Sequence, residues 1–387
     1  MKAFRYQHPT EIVFGCGCVD EIGTIAAKWG KTALLVTVPE FPAVAPLYRR
    51  VKERLAEAGV TVVHYDGVIP NPTTDVVTAG AQMAKAAGVE LVIGLGGGSS
   101  MDTAKAVAVE ATHPGTAWDY LHYKTPPTER TLPILAVSTT SGTGSQTTPC
   151  AVITRSADKD KSAIWHANIF PKVAIVDPEL MLTLPREMTA MTGFDAFAHN
   201  FEAYLSTGTN PHVEMLALEG MRLIIGNLPA VLADGADIEA RSAMAWADTL
   251  GGLAIAAGGV TLPHGLGMQI SGHCPHVAHG QSLAVTYPEF TRYTCHSAEK
   301  KFAAVGRLFN PMLAEMSDAA AAEACCLEID LFLQRIGLWI GFSDLGVSME
   351  DLRQIADDGQ VLGDYRNNPR VATIEEMYDM LVKCWHR

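Results

Sequence analysis

Hydrophobic and polar residues change rhythm about halfway along the chain. Up to Pro178, short runs rich in β-branched residues alternate with stretches of helical period. Thr32 to Val38 (TALLVTV) reads as a buried strand, residues 46–58 as an amphipathic helix and residues 60–65 as the next strand. Residues 79–87 are helical, 90–95 (ELVIGL) form a strand running into glycines, and 133–137 and 173–176 add two more strands. Strands separated by helices of this length predict a parallel, doubly wound sheet with helices on both faces. Beyond Pro178 the texture is Ala-, Leu-, Met- and Glu-rich, at 212–225, 238–256, 298–309 and 319–336, with no convincing strand. The expected fold class is therefore α/β plus all-α: an α/β domain over residues 1–185, then a helical domain over 186–387.

Composition adds exclusions more than identity. A length of 387 residues suits two cores better than one. The formal net charge of −13 argues against a nucleic-acid or acidic-membrane partner, since both need clustered Lys and Arg. No unbroken apolar run is long enough to suggest a membrane span. The first residues, MKAFRYQHP, lack the apolar core of a secretory leader. Eight cysteines (16, 18, 150, 274, 295, 325, 326 and 384) are scattered without a CxxC pair. They read as reduced thiols of a cytoplasmic protein.

Two loops in the first half carry candidate chemistry. The segment Gly94-Leu95-Gly96-Gly97-Gly98-Ser99-Ser100-Met101-Asp102-Thr103-Ala104-Lys105 leaves a strand and opens a helix. Glycines admit an anion close to the backbone, and the unused amides of a first helical turn point at it. Lys105 lies too far from the glycines for a P-loop, and Ser99 stands where GxGxxG has its third glycine. A plain glycine-rich turn is the competing reading. The second loop, Ser138 to Thr148 (STTSGTGSQTT), follows another strand. Two such loops at the carboxyl ends of strands suit a dinucleotide crevice in an open α/β sheet.

In the second half, Asp195 and His199 stand four residues apart within TGFDAFAHNFEAY, so a helix places them on one face. A histidine-rich stretch follows with His264, His273, His276 and His279. Imidazoles suit iron, zinc, nickel or copper, and a carboxylate beside neutral imidazoles can leave open positions on a catalytic ion. The competing reading is an ordinary Asp–His ion pair with unrelated histidines downstream.

Together these motifs resemble the iron-containing alcohol dehydrogenases, the family of lactaldehyde/propanediol oxidoreductases and of 1,3-propanediol and butanol dehydrogenases. The resemblance runs along the whole chain, through Phe14-Gly15, Asn71-Pro72, GGGSSMDTAK, TTSGTGS, Asp177-Pro178 and the TGFDAFAHNFEAY signature. It implies a Rossmann-like N-terminal domain followed by an α-helical metal-binding domain. By position, Gly97, Gly98 and Ser99 would cradle the pyrophosphate with Asp102 nearby. Asn71, Thr139, Thr140, Thr143, Thr148, Lys161 and Leu180 would line the nucleotide. Asp195, His199 and His264 match three metal ligands, and His279 matches the fourth. Fe²⁺ is the implied ion, with Zn²⁺ able to displace it.

The chain also departs from the family pattern. The interval from His264 to His279 is one residue longer than in the propanediol enzymes, which leaves His276 as a rival ligand. Met268 occupies the place of a further histidine, so a proton relay there is lost unless His273 substitutes. Val38 stands where many NAD-specific members carry Asp, which tilts the expectation towards NADP although no Arg or Lys follows it. Gln146 replaces a common Glu.

The implied reaction is reversible hydride transfer between NAD(P) and a small primary alcohol or aldehyde, in the cleft between the domains. Self-association as a homodimer or larger is implied too. Phe197, Met268 and Trp246 are candidates for an apolar substrate pocket. The catalytic proton carrier is unassigned. Two alternatives stand beside this reading: a same-fold enzyme like dehydroquinate synthase or glycerol-1-phosphate dehydrogenase, and a non-catalytic metal- and nucleotide-binding protein.

Overall fold

The structure, a computed structural model, describes residues 3–387; Met1 and Lys2, where the reading of the chain's start begins, lie outside the described residues. The chain divides into two compact units, Gln7–Leu184 and Pro185–Arg387, the latter joined by the residues before Gln7.

The first unit is built on a six-stranded parallel sheet. Its strands are β1 (Glu11–Phe14), β2 (Thr32–Val36), β3 (Thr61–Tyr65), β4 (Leu91–Gly96), β5 (Ile134–Ser138) and, after the hairpin β6 (Cys150–Arg155) and β7 (Asp160–Trp165), β8 (Val173–Val176). The spatial order is β1-β8-β5-β4-β2-β3. Its helices are α1 (Ile22–Ala26), α2 (Ala45–Glu57), α3 (Thr74–Ala87) and α4 (Gly98–Glu110). Alternation along the strands sorts side chains to two faces. Ala33 and Leu35 pack with Ile22, Tyr48, Val51 and Leu55 of α1 and α2. Leu34 and Val36 pack with Val77, Ala81, Ala104 and Val107 of α3 and α4. Both faces are covered, so β2, β4, β5 and β8 read as unbroken apolar runs.

β2 and β4 lie side by side, yet the chain leaves β2 towards β3 and β4 towards β5. That reversal is the switch point at which open α/β sheets bind ligands. Gly96 pairs with Ser138, so the two polar loops leave from adjacent strand ends. Strand β1 and the β6–β7 hairpin were not anticipated. Helix α3 also starts earlier than expected, because its first turn, Thr74-Asp75-Val76-Val77-Thr78, is β-branched and reads as non-helical.

The second unit is helical among the described residues. It comprises α5 (Arg186–Leu205), α6 (Pro211–Ala233), α7 (Ile238–Gly258), α8 (Leu262–His273), α9 (His279–Thr294), α10 (Glu299–Phe309), α11 (Asp318–Ile336), α12 (Met349–Asp357) and α13 (Ile374–Lys383). Every residue of α5 from Gly193 to Leu205 is buried, which makes it the central rod of this unit. Phe194, Phe197 and Phe201 recur at i, i+3 and i+7 along it and pack with Tyr287, Phe302 and Phe332. Phe197 is thus a core residue and not part of a substrate pocket. Helix α6 is long and apolar enough to span a bilayer by length and composition, contrary to the sequence expectation. It nevertheless carries Glu214, Glu219 and Arg222 and supplies Val213, Ala217, Met221 and Ile224 to this core.

Candidate metal centre and nucleotide cradle

Asp195 and His199 lie one helical turn apart on α5, on the stripe away from the three phenylalanines. His264 enters from the first turn of α8, and His279 is the first residue of α9. All four side chains meet at one carboxylate oxygen. The Nε2 atoms of His264, His199 and His279 lie 3.6, 3.8 and 3.9 Å from Oδ1 of Asp195. Asp195, His199 and His264 are buried and offer ligand atoms within 4.8 Å of one another. The His279 side chain stands on the more open side, 28% exposed.

These distances are too long for hydrogen bonds. Oδ1 of Asp195 and Nε2 of His264 are buried with no hydrogen-bond partner, and such atoms each cost about 1–3 kcal/mol when left unpaired. A tetrahedral ion with bonds near 2.0–2.1 Å needs donors about 3.3 Å apart. The observed spacing exceeds that by a few tenths of an ångström, so this donor set fits a divalent cation. Burial pushes the Asp195 carboxyl up, but the three imidazoles outweigh it and hold it at about 2. Burial disfavours the His264 imidazolium, yet Glu202 and Asp195 raise its pKa to about 10.

A shell of polar groups absent from the sequence reading surrounds the ligands. Glu202 is fully buried on the same α5 stripe, at i+7 from Asp195. It accepts from Nδ1 of His264 at 2.8 Å and from Tyr287 Oη at 3.2 Å. It also accepts from the amide and hydroxyl of Thr261 at 2.8 and 3.1 Å. Asp364 is raised to about 6 by burial, which the charge of His264 only partly offsets. The i, i+4, i+7 spacing of Asp195, His199 and Glu202 was a readable signal; nothing local in the sequence pointed to Tyr287 or Asp364.

The rival histidines go elsewhere. His276 is exposed, with Nε2 on the carbonyl of Leu345 at 3.0 Å. His273 has Nε2 on Oδ2 of Asp358 at 2.8 Å, so its proton-carrying atom is engaged away from the four ligands. Met268 is buried on α8. Gly280 explains how His279 reaches the cluster. A Cβ at Gly280 would sit 2.3 Å from the carbonyl oxygen of Met191, so only glycine lets the start of α9 approach α5 this closely.

In the first unit, β4 ends at Gly96, whose φ of +148° excludes other residues in practice. No side chain caps the N-terminus of α4, which leaves its first amides directed out along the helix axis. A Cβ on Gly98 would lie 2.8 Å from Cγ2 of Thr143, and one on Gly97 would lie 3.2 Å from Cγ2 of Thr140. The two loops therefore close on each other at the positions expected to hold the pyrophosphate. Ser99 and Thr139 are partly exposed beside them. Lys161 of β7 donates to Oδ1 of Asn71 at 2.8 Å, and Thr73 bridges to Thr154 of β6. Leu180 lies in the short 3₁₀ turn after β8, packed against the α1–α2 core.

Asp102 and Lys105 turn inwards. Asp102 accepts from Ser145 Oγ at 2.6 Å and from the amide of Val152 at 3.0 Å. Lys105 is fully buried and donates to the carbonyls of Ser145, Thr148 and Cys150 at 2.6, 3.0 and 2.7 Å. Thr148 thus contributes its backbone to this lock. At the end of β2, the carbonyl of Val38 accepts from Thr37 Oγ1 at 2.8 Å and Tyr48 Oη at 3.2 Å. Neither group brings a positive charge for a 2′-phosphate, so the tilt towards NADP gains no support.

None of the eight cysteines forms a disulfide. Trp246 is 37% exposed.

Comparison with known proteins agrees with this architecture. Residues 9–178 match the family model for iron-containing alcohol dehydrogenase. Residues 189–385 match that for the C-terminal part of the Fe-containing alcohol dehydrogenase family. The NAD-dependent methanol dehydrogenase of Bacillus methanolicus is 34% identical over 96% of this chain and 97% of its own length. An archaeal halo-thermophilic Red Sea brine pool alcohol dehydrogenase, solved bound to NZQ, superposes with a TM-score of 0.95 at 33% identity. That match covers 99% of this chain and 100% of the other. The NADH-dependent butanol dehydrogenase A of Thermotoga maritima superposes with a TM-score of 0.89 at 28% identity, covering 100% and 99%. The phosphorylated-substrate and non-catalytic alternatives are not favoured by these matches. With the two polar loops on one parallel sheet and three imidazoles around one carboxylate oxygen, the chain belongs to the iron-containing alcohol dehydrogenase family.

Proposed function

We propose that the protein interconverts small primary alcohols and aldehydes using NAD(H) and one divalent cation, Fe²⁺ or a substituting Zn²⁺, held by Asp195, His199, His264 and His279. The observation that carries this reading is the meeting of three imidazole nitrogens around a buried, low-pKa carboxylate oxygen. When bound, the cation would supply Lewis acidity at the substrate oxygen and the nicotinamide would supply the hydride.

The chain's own part is to bind and orient. Asp195 stays ionised to balance the cation's charge. Gly97, Gly98 and Ser99 offer backbone to a pyrophosphate at the N-terminus of α4, with Thr139, Thr140 and Thr143 opposite. Asp102, Lys105 and Thr148 hold the second loop in shape, while Asn71, Lys161 and Leu180 are taken to flank the nucleotide. The NAD dependence of the methanol dehydrogenase and the NADH dependence of the butanol dehydrogenase support NAD over NADP. The thioether of Met268 carries no proton, so proton transfer runs through another group or solvent.

Nicotinamide absorbance, followed with a panel of short alcohols and aldehydes and both dinucleotides, tests the proposal. Turnover with NAD is expected; no turnover on any member by the iron- or zinc-loaded protein would contradict it.

Two variants refine the assignments. His279→Ala should lower cation affinity at least tenfold, whereas His276→Ala should leave it unchanged, as measured by competition with a chromophoric chelator; about tenfold is the low end even for losing a group that only orients a ligand. The reverse pattern would transfer the fourth ligand to His276. Gly98→Ala forces Thr143 away from the glycine loop, an overpacking cost of about 1–3 kcal/mol. The KM for NAD should rise about tenfold or more with kcat at saturation nearly kept; an unchanged KM would remove this loop from the cofactor site.

A further inference from the structure

We propose that Glu202 is a positioning residue that sets the tautomer of His264 and so decides how well the centre takes a cation. The inference rests on the reading of Asp195, His199, His264 and His279 as ligands to one ion.

Four donors converge on this one buried carboxylate: Thr261 N and Oγ1 on Oε2, His264 Nδ1 and Tyr287 Oη on Oε1. An ionised carboxylate accepts and cannot donate, so every one of these contacts requires its partner to give a proton. Nδ1 of His264 is thereby fixed as the protonated nitrogen. The nitrogen left to offer a lone pair to a cation is then Nε2, the atom that faces Oδ1 of Asp195 at 3.6 Å. A ring without that acceptor is free to carry its proton on Nε2, where it blocks coordination.

Glu202 also ties α5 to the start of α8, so a mere loss of affinity on truncation would say little. Glu202→Gln separates the two roles. Glutamine keeps the size but has one acceptor oxygen and an amino group that only donates. The backbone amide of Thr261 cannot reverse its role, whereas an imidazole and a phenol can. The glutamine oxygen therefore turns to Thr261 and its amino group to His264. Nδ1 must then accept, and the ring proton moves to Nε2.

The test compares Zn²⁺ affinity by chelator competition in the wild type, Glu202→Gln and Tyr287→Phe, with circular dichroism as the check on folding. Glu202→Gln should bind Zn²⁺ about 10- to 100-fold more weakly, the range for groups that orient metal-bound histidines. Tyr287→Phe removes a donor from the same oxygen without moving the ring proton, and should stay within about fivefold, the modest net worth of one hydrogen bond. Wild-type affinity in folded Glu202→Gln would overturn the proposal, as would an equal loss in Tyr287→Phe. Should Glu202→Gln not fold, ¹⁵N-histidine NMR of the zinc-loaded wild type decides. His264 ligated through Nε2 with a protonated Nδ1 supports the proposal, and ligation through Nδ1 overturns it. Failure of the wild type to bind Zn²⁺ or Fe²⁺ at all would instead remove the metal reading on which the proposal stands.

Discussion

His264→Ala should abolish cation binding and turnover together while leaving dinucleotide binding intact. His264 is the proposed ligand contributed by α8, and its Nε2 is buried without a hydrogen-bond partner. Its removal leaves Asp195 with His199 and His279 only. Lewis-acid stabilisation is worth several kcal/mol, and each 1.36 kcal/mol is a factor of ten in rate. The expected fall in kcat is therefore about 10³-fold or more. The residues proposed to line the nucleotide belong to the other compact unit, so the Kd for NAD should change little. Metal analysis, turnover and NAD titration on one preparation check all three statements. Wild-type turnover in a metal-free His264→Ala protein would refute the proposed chemistry.

The second large effect is expected in the other compact unit. Lys105→Met should destabilise the first unit by about 3–5 kcal/mol, the range for removing one partner of a buried ionic group. The variant strips the carbonyls of Ser145, Thr148 and Cys150 of their shared donor. It also leaves the Asp102 carboxylate without its cation, 3.9 Å away. Nothing in a methionine replaces those contacts. For a unit of this size, the first thermal transition should drop by about 10 °C. The TTSGTGS loop is held to α4 by this ammonium, so the Kd for NAD should rise in the folded variant as well. Differential scanning calorimetry and NAD titration measure the two effects. An unchanged transition would mean that Lys105 does not lock the loop.

The parts of the fold legible in the sequence were those whose pattern repeats locally. β2, β4, β5 and β8 are apolar on both faces because α1–α2 and α3–α4 cover the sheet from either side. β1 has only four residues and lies at the sheet's edge, and β7 (DKSAIW) mixes charge into a hairpin, so neither stood out. The start of α4 was legible from the glycine loop itself, which leaves β4 and opens the helix.

Legibility at the centre followed the same rule. Asp195 and His199 share a helix face, and their spacing alone raised the possibility of a metal site. His264 and His279 arrive from other helices, and only the family resemblance picked them out of four histidines. Glu202 sits at the next step of the same stripe but resembles a solvated acid until its burial is seen. Phe197 was named as a candidate for an apolar pocket, with a core position as the commoner role; the i, i+3, i+7 phenylalanine stripe shows it to be core. His273 is paired through Nε2 with Asp358, a partner 85 residues away in sequence that nothing local in the sequence indicated.

The central claim is that one divalent cation at Asp195, His199, His264 and His279 is required for alcohol oxidation. Its most direct test is titration of chelator-treated protein with Fe²⁺ under anaerobic conditions, reading bound metal and NAD-linked turnover in the same samples. Both should rise together and reach a plateau at one ion per chain. Turnover that is complete before any ion is bound would contradict the claim.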